Sequence, residues 1–186
     1  MFEEYCDFDN EAIINYIDNF YRDLYGMDKI KKIFIDIKNS ICYDPFSCEQ
    51  KASQTLVMSR GNNFDKSILL YTMLKMSDFD CKLTYKIVKD NSKLFISRQN
   101  NSLPWFYTQI NYFGKEIPLD CSFDESYMRA SGIMHYGTKK DYSIEDYAFN
   151  GKPLFTISSK QPKDEIDYMS GIDNLLKTRG ETNCTL

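Results

Sequence analysis

The chain has 186 residues, with 27 acidic and 23 basic side chains and a formal net charge of -4. This length suits one domain over residues 1–186, and this charge offers no basic surface that would attract a nucleic acid. The acidic start, MFEEYCDFDN, lacks the apolar core of a secretion signal, and no apolar run is long enough to span a membrane. We therefore expect a cytoplasmic protein with neither a nucleic-acid nor a membrane partner.

Six cysteines and a single histidine, His135, bear on disulfides and on metal binding. A cytoplasmic protein keeps its thiols reduced. No two cysteines have CxxC spacing, and one histidine is too few for the usual structural zinc sites. We expect neither disulfides nor a bound metal nor a cofactor. The cysteines are Cys6, Cys42, Cys48, Cys81, Cys121 and Cys184.

Two helices are predicted at the start of the chain. Asp9 or Asn10 caps the first, which runs to about Tyr25, and Asp28 caps the second. Apolar residues spaced by three and four give each helix one buried face, while charged residues such as Lys38 are expected to face water. The predicted buried positions are Ile13, Ile14, Ile17, Phe20, Tyr21 and Leu24, followed by Ile30, Ile33, Phe34, Ile37 and Ile41.

A long central helix is predicted between Gly61 and residues 77–80. A short helix over residues 50–59 leads into a turn at Gly61, and Asn62 or Asn63 caps the helix that follows. Its apolar band is too wide for a surface helix, so we expect it to be packed on several sides. The apolar band comprises Ile68, Leu69, Tyr71, Thr72, Met73 and Leu74.

Strands follow the central helix. Residues 81–89 alternate apolar and polar side chains, and residues 105–113 are rich in aromatic and β-favouring residues. A turn at Gly114 and Lys115 joins the second of these strands to residues 116–120, which predicts an antiparallel hairpin in a small sheet.

The remaining segments carry weaker signals. A short strand is predicted over residues 94–97, and a polar loop over residues 98–104. After Cys121 the pattern weakens to short elements around His135 and a weak helix over residues 164–176.

The turn and helix around Gly61 resemble the transglutaminase-like family, which is related to the papain-like cysteine peptidases. Members typically read Gly-x-Cys at this turn, then a polar or basic residue and a leucine-rich run. The residues of this chain that fit are Gly61, Lys66, Leu69, Leu70 and Leu74, with Tyr43-Asp44-Pro45 upstream. The position of the cysteine holds Asn63. The resemblance covers residues 37–123.

The resemblance implies an α+β fold with N-terminal helices packed on a small antiparallel sheet and a buried central helix. It also implies a Cys-His-Asp triad in which the histidine position falls at Trp105 and the aspartate at Asp120. Asn63 is not a nucleophile, and neither Trp105 nor Tyr107 can act as a base near neutral pH. The chain is therefore expected to be a catalytically inactive member of the family.

Asn63, Trp105, Tyr107 and Asp120 would line a groove suited to a protein or peptide partner. The alternative is that Trp105 simply fills the vacated space. Two other functions stay open: a thiol-dependent amidase, peptidase or acyltransferase that uses His135 with a cysteine such as Cys121, and a structural component of an assembly. The sequence does not predict an oligomeric state.

Overall fold

A computed structural model describes residues 2–47, 49–95, 102–136 and 143–159. The helices are α1 (Glu11–Tyr21), α2 (Gly26–Ser40), α3 (Ala52–Met58), α4 (Asn63–Met76) and α5 (Glu125–Ser131), with 3₁₀ turns at Phe2–Tyr5 and Ile144–Asp146. The strands are β1 (Cys42–Tyr43), β2 (Arg60–Gly61), β3 (Cys81–Asp90), β4 (Ser102–Tyr112), β5 (Lys115–Leu119), β6 (Ile133–His135), β7 (Tyr147–Phe149), β8 (Lys152–Pro153) and β9 (Phe155–Ile157).

The described strands form three sheets. Four antiparallel strands run in the order β5-β4-β3-β9, with Tyr85 opposite Phe106 and Thr108 opposite Leu119. β1 and β2 form a parallel pair, while β6, β7 and β8 form an antiparallel sheet. Helices α2 and α3 contact α4, which in turn lies against β3 and β4. The predicted α+β architecture is confirmed.

Helix α4 is the buried centre of the fold, as predicted, and every residue from Asn63 to Leu74 is buried. Asn62 is the residue that caps it. The Asn62 side chain accepts a 3.1 Å hydrogen bond from the Asp65 N–H, and the Asp65 carboxylate accepts a 2.9 Å bond from the Asn62 N–H. Such a cap stabilises a helix by about 1 kcal/mol. Because Asn62 serves as the cap, the Asn63 side chain is left to make contacts outside the helix.

Helix α1 is shorter than predicted and buries a narrower face. It starts after Asn10, whose side chain accepts a 3.0 Å hydrogen bond from the Ala12 N–H, and it ends at Tyr21 instead of near residue 25. Ile14 and Phe20 are exposed, contrary to the prediction, because they lie outside the face of α1 that packs against the core. The buried face consists of Ile13, Ile17 and Tyr21.

Helix α2 has the predicted apolar face but a different start. It begins at Gly26, so Asp28 lies inside the first turn and does not cap the helix as predicted. The five positions predicted to face the core are all buried. They are Ile30, Ile33, Phe34, Ile37 and Ile41.

Lys38 of α2 is buried, so the prediction that it faces water is wrong. Its Nζ donates to the Phe123 carbonyl at 2.5 Å and to the Tyr147 hydroxyl at 3.2 Å. The Nζ of Lys66, also buried, donates to the Lys38 and Ile41 carbonyls at 3.0 and 2.6 Å. The last carbonyls of a helix lack partners within the helix, and a lysine ammonium group can satisfy them. The two lysines therefore join the end of α2 to α4 and to the segment after β5.

Strand β4 begins earlier than predicted, since residues 102–104 were expected to lie in a loop. These residues pair with β3, where Leu103 lies opposite Val88 and Pro104 opposite Ile87. Proline is tolerated here because β5 pairs with β4 only as far as Thr108, which leaves one side of Pro104 without a strand partner among the described residues. Of the strand predicted over residues 94–97, residues 94 and 95 lie in a turn.

Some predictions fall outside the described residues. These are residues 96 and 97 of the predicted short strand, residues 98–101 of the predicted loop, and the weak helix over residues 164–176. Within the described ranges, no helix is long and apolar enough to cross a lipid bilayer.

Candidate functional site

The four predicted site residues lie where the start of α4 meets the first half of β4. Asn63 is the first residue of α4, Trp105 and Tyr107 lie in β4, and Asp120 directly follows β5. Their exposed fractions are 3% for Asn63, 1% for Trp105, 9% for Tyr107 and 0% for Asp120. Asn63, Trp105 and Asp120 join one hydrogen-bonded cluster. Tyr107 lies instead beside Lys86, whose Nζ is 6.0 Å from the centre of the tyrosine ring.

The Asn63 carboxamide binds the backbone of Phe106 at two points. Its Oδ1 accepts from the Phe106 N–H at 2.7 Å, and its Nδ2 donates to the Phe106 carbonyl, also at 2.7 Å. The Nδ2 group donates a second bond, 2.7 Å long, to the Ser122 hydroxyl. These partners fix the orientation of the amide, because a reversed amide would place oxygen against oxygen.

Trp105 donates a hydrogen bond from its indole Nε1 to Asp120 Oδ2 at 2.8 Å. The other carboxylate oxygen, Oδ1, accepts from the Ser122 N–H at 2.9 Å and from the Ser122 hydroxyl. Asp120 thus receives three hydrogen bonds while fully buried, as a buried carboxylate requires. A tryptophan indole and a histidine imidazole can both donate an N–H to a carboxylate, but only the imidazole can also accept a proton.

Ser122 links the two halves of the cluster and was not among the predicted site residues. Its hydroxyl accepts from Asn63 and donates to Asp120, which makes a continuous chain from Asn63 through Ser122 and Asp120 to Trp105. The sequence contained one signal for it. An aspartate side chain often accepts the N–H of the residue two positions later, and Ser122 stands in that position relative to Asp120.

Trp105 fills the site and does not line an open groove. Its indole ring lies 4.5 Å from the ring of Phe155, 5.2 Å from that of Phe123 and 5.6 Å from that of Phe95, measured between ring centres. With only 1% of its surface exposed, Trp105 offers nothing for a partner to touch in this conformation. Of the two alternatives for Trp105, the described structure therefore agrees better with a side chain that fills the site than with one that lines a groove.

Cys121 and His135, the pair considered for a rebuilt thiol site, lie in different surroundings. Cys121 is fully buried, its Sγ donates to the Lys66 carbonyl at 3.3 Å, and burial raises the pKa of its thiol to about 12. His135 lies in β6, with its ring centre 5.1 Å from that of Tyr147 and its Nε2 3.9 Å from Asp146 Oδ2. Burial lowers the pKa of His135. A nucleophilic cysteine needs a lowered pKa, so Cys121 has the wrong environment.

The other described cysteines also bear on a thiol site. Burial raises the pKa of Cys6 to about 11 and that of Cys81 to about 12, whereas Cys42 is exposed in β1. All of these cysteines are free thiols. In the described ranges, no group of three or more acidic, cysteine or histidine side chains is arranged to hold a metal ion.

The site therefore combines the N-terminus of α4, strand β4 and the aspartate that follows β5. The model of the transglutaminase-like superfamily matches residues 12–123. The chain belongs to the transglutaminase-like superfamily. The match ends where we expected, at residue 123, but it begins at residue 12 instead of residue 37, so it includes most of α1. All four predicted site residues lie inside it.

No curated protein sequence matches the chain. One similar solved structure is a candidate cysteine protease from Cytophaga hutchinsonii, at 18% sequence identity and a TM-score of 0.49. The alignment covers 63% of this chain and 38% of that one, so the chain spans well under half the length of that structure.

Proposed function

We propose that this chain is a catalytically inactive member of the transglutaminase-like superfamily that acts by binding a protein or peptide. The observation that carries the proposal is the closed chain of hydrogen bonds from Asn63 through Ser122 and Asp120 to Trp105. The polar side-chain groups of these four residues bind one another, the backbone of Phe106 in β4 or the backbone N–H of Ser122.

Acyl transfer and peptide hydrolysis need a nucleophile and a base that takes its proton. The Asn63 carboxamide is neutral and uses both of its ends to bind the Phe106 backbone. The Trp105 indole nitrogen can only donate. The Ser122 hydroxyl is next to a carboxylate, but the residue is fully buried, so a substrate carbonyl has no route to it. These residues act as scaffold.

Because the four predicted site side chains are buried, we place the contact with a partner on the surface beside them. Phe46 is 85% exposed and follows β1. Its neighbour Ser47 is tied to the start of α4: the Ser47 carbonyl accepts from Asn62 Nδ2 at 3.0 Å, and its hydroxyl donates to Asp65 at 2.7 Å. A large aromatic side chain held on an anchored segment suits the core of a protein interface.

The catalytic part of the proposal is tested by assays for amine incorporation and peptide cleavage. We expect the untreated protein to show no activity above a no-enzyme background. Iodoacetamide treatment and the His135→Ala variant serve as the matched conditions, since either would remove a thiol and histidine mechanism. Activity in the untreated protein that both conditions abolish would establish the enzyme alternative and refute the proposal.

The binding part is tested by screening the protein against an immobilised peptide library. Phe46→Ser is the test variant, and Phe113→Ser is the matched control. Phe113 is 93% exposed at the turn between β4 and β5, about 25 Å along the strand from Trp105. We expect the peptides retained by the unmodified protein to be lost by Phe46→Ser and kept by Phe113→Ser. Equal retention by both variants would remove Phe46 from the binding surface.

A further inference from the structure

The two hydrogen bonds between Asn63 and Phe106 continue the pattern of the β4–β5 ladder. In that ladder Tyr112 lies opposite Lys115, Ile110 opposite Ile117 and Thr108 opposite Leu119. When a two-residue turn joins antiparallel strands, alternate residues exchange an N–H and a carbonyl with the partner strand, starting beside the turn. The residues of β4 that face β5 in this way are therefore Tyr112, Ile110 and Thr108.

Phe106 is the next residue in this alternation, but β5 has already ended at Leu119. The chain turns away after β5, and the Cys121 thiol points to the Lys66 carbonyl of α4. The groups that Phe106 would have offered to a strand meet the Asn63 carboxamide instead, which supplies one acceptor and one donor as a peptide unit does. A cysteine thiol has one weak donor and one weak acceptor on the same sulfur atom, so it could not match the separate oxygen and NH₂ group with which Asn63 makes the two bonds.

The Asn63 side chain is connected to Trp105 on the other side of the cluster. Its second donor hydrogen reaches Ser122, which holds Asp120, which accepts from the Trp105 indole. Trp105 and Phe106 are neighbours in β4. Asn63 therefore binds this strand twice: directly, through the backbone of Phe106, and indirectly, through the side chains of Ser122 and Asp120, to the indole of Trp105. Both ends of this connection are buried.

We propose that Asn63 and Trp105 together form a lock that holds the start of α4 against β4. Asn63 takes the place of a strand residue at the edge of β4 that lies beyond the last pair with β5, and Trp105 fills the adjacent space. With Asn63 in place, the Phe106 N–H and carbonyl are not available to an extended polypeptide. The inference deepens the proposed loss of catalysis, on which it rests, but it concerns a conformation and is measured without substrate or partner, so the two can fail separately.

Hydrogen exchange at the Phe106 amide, followed by NMR, tests the lock directly. Removal of the acceptor in Asn63→Ala leaves the Phe106 N–H without a partner, whereas its carbonyl keeps a 3.1 Å bond from the Ser67 hydroxyl. We expect Phe106 exchange to speed up by about tenfold or more. The amides of Thr108 and Ile110, which face β5, should change far less.

Asn62→Ala is the matched control, because it removes the neighbouring asparagine and the cap of α4 without touching Phe106. In Asn62→Ala the exchange rate of the Phe106 amide should rise only as much as the loss of global stability accounts for. Unchanged Phe106 exchange in Asn63→Ala, or an equal acceleration in Asn62→Ala, would overturn the lock.

Two readouts keep the test decisive if Asn63→Ala does not fold. In the unmodified protein both hydrogens on Asn63 Nδ2 are bonded, so this side-chain NH₂ should exchange as slowly as a ladder amide, whereas exposed asparagine side chains exchange fast. Trp105 is the only tryptophan in the chain, so tryptophan fluorescence reports on this residue alone. Because Trp105 is buried, we expect acrylamide to quench that fluorescence poorly. A fast-exchanging Asn63 NH₂ together with efficient quenching of Trp105 would contradict a closed site.

Discussion

Strand β4 ends in two different ways. At the turn toward β5 its backbone pairs with a neighbouring strand, and its last aromatic neighbour, Phe113, is 93% exposed. At the other end its backbone pairs with the side chain of Asn63, and its aromatic residue, Trp105, is 1% exposed. Both aromatic residues belong to the aromatic-rich stretch of residues 105–113, yet Phe113 contacts mostly water whereas Trp105 packs against three aromatic rings.

The difference shows what kind of information specifies each end. The hairpin end depends on a turn of two residues and on partners a few positions away. The site end depends on partners that are distant in sequence, since Asn63 is 43 residues from Phe106, and Asp120 is 15 residues from Trp105. A change at the site end should therefore disturb the whole packed cluster, whereas a change at the hairpin end should stay local.

The largest expected effect separates the two aromatic residues. Trp105→Ala should lower the free energy of unfolding by about 3–5 kcal/mol, because it empties a large buried volume and removes a donor from the buried Asp120 carboxylate. Phe113→Ala should change it by less than about 0.5 kcal/mol, since the side chain is exposed. Urea denaturation followed by circular dichroism measures both.

A milder variant separates packing from hydrogen bonding. Trp105→Phe keeps an aromatic ring but loses the indole N–H, and we expect it to cost about 1–3 kcal/mol. If Trp105→Ala cost no more than Phe113→Ala, the packing of Trp105 would not stabilise the site end, and the contrast between the two ends of β4 would fail.

The second prediction concerns pH and the buried lysines beside the site end. Burial lowers the pKa of Lys66 from 10.5 to about 8. Below pH 8 the ammonium group is charged in both the folded and the unfolded chain, so the full cost of burying the charge is present. As the pH rises from about 8 to 10.5, the folded protein releases this proton before the unfolded chain does, and the Lys66 contribution to stability should improve by up to about 3 kcal/mol.

The Lys66 contribution is isolated by comparison with Lys66→Met, because cysteines and tyrosines also titrate in this range. The difference in unfolding free energy between the unmodified protein and Lys66→Met should shift in favour of the unmodified protein as pH rises from 8 to 10.5. Lys31→Met, at an exposed position of α2, is the matched control and should show no such shift. If both variants showed the same pH dependence of the free energy of unfolding, burial would not lower the pKa of Lys66.

Much of the fold could be predicted from the sequence because local patterns specify it. The apolar spacing of α2, the alternation in β3 and the asparagines before α4 each depend on residues a few positions apart. The errors have a common physical origin. Lys38 was expected to face water because it is charged and is not one of the apolar residues that define the buried face of α2, but its surroundings are set by Phe123 and Tyr147, more than eighty residues away. No local pattern carries that information.

The site shows the same limit in more detail. The family resemblance predicted that Asn63, Trp105 and Asp120 lie close together, and in the structure the three side chains belong to one hydrogen-bonded cluster. The sequence left open whether Trp105 is buried, because its burial depends on Phe95, Phe123 and Phe155, which come from three separate segments. The binding role of Asn63, Trp105, Tyr107 and Asp120 stays a prediction, and it requires a conformation in which these side chains are exposed.

The smallest expected effect lies at the hairpin end and has the opposite sign. Phe113 and Gly114 form the turn with φ of 51° and 77°, a left-handed conformation that costs most residues about 1–2 kcal/mol but that asparagine adopts readily. Phe113→Asn should therefore raise the free energy of unfolding, measured by urea denaturation. The gain should be about 0.5 kcal/mol, because the phenyl ring also gives up its contact with Tyr112, whose ring centre is 4.7 Å away.

Phe46→Asn is the matched control for this turn, since Phe46 is similarly exposed but lacks the left-handed backbone. It should bring no gain. If Phe113→Asn were destabilising, the contact with Tyr112 would outweigh the strain in the turn, and the aromatic residues at both ends of β4 would stabilise the fold. If Phe113→Asn is stabilising, then of these two aromatic residues only Trp105 stabilises the fold. The presence of Phe113 at the turn then has to be explained by something other than folding.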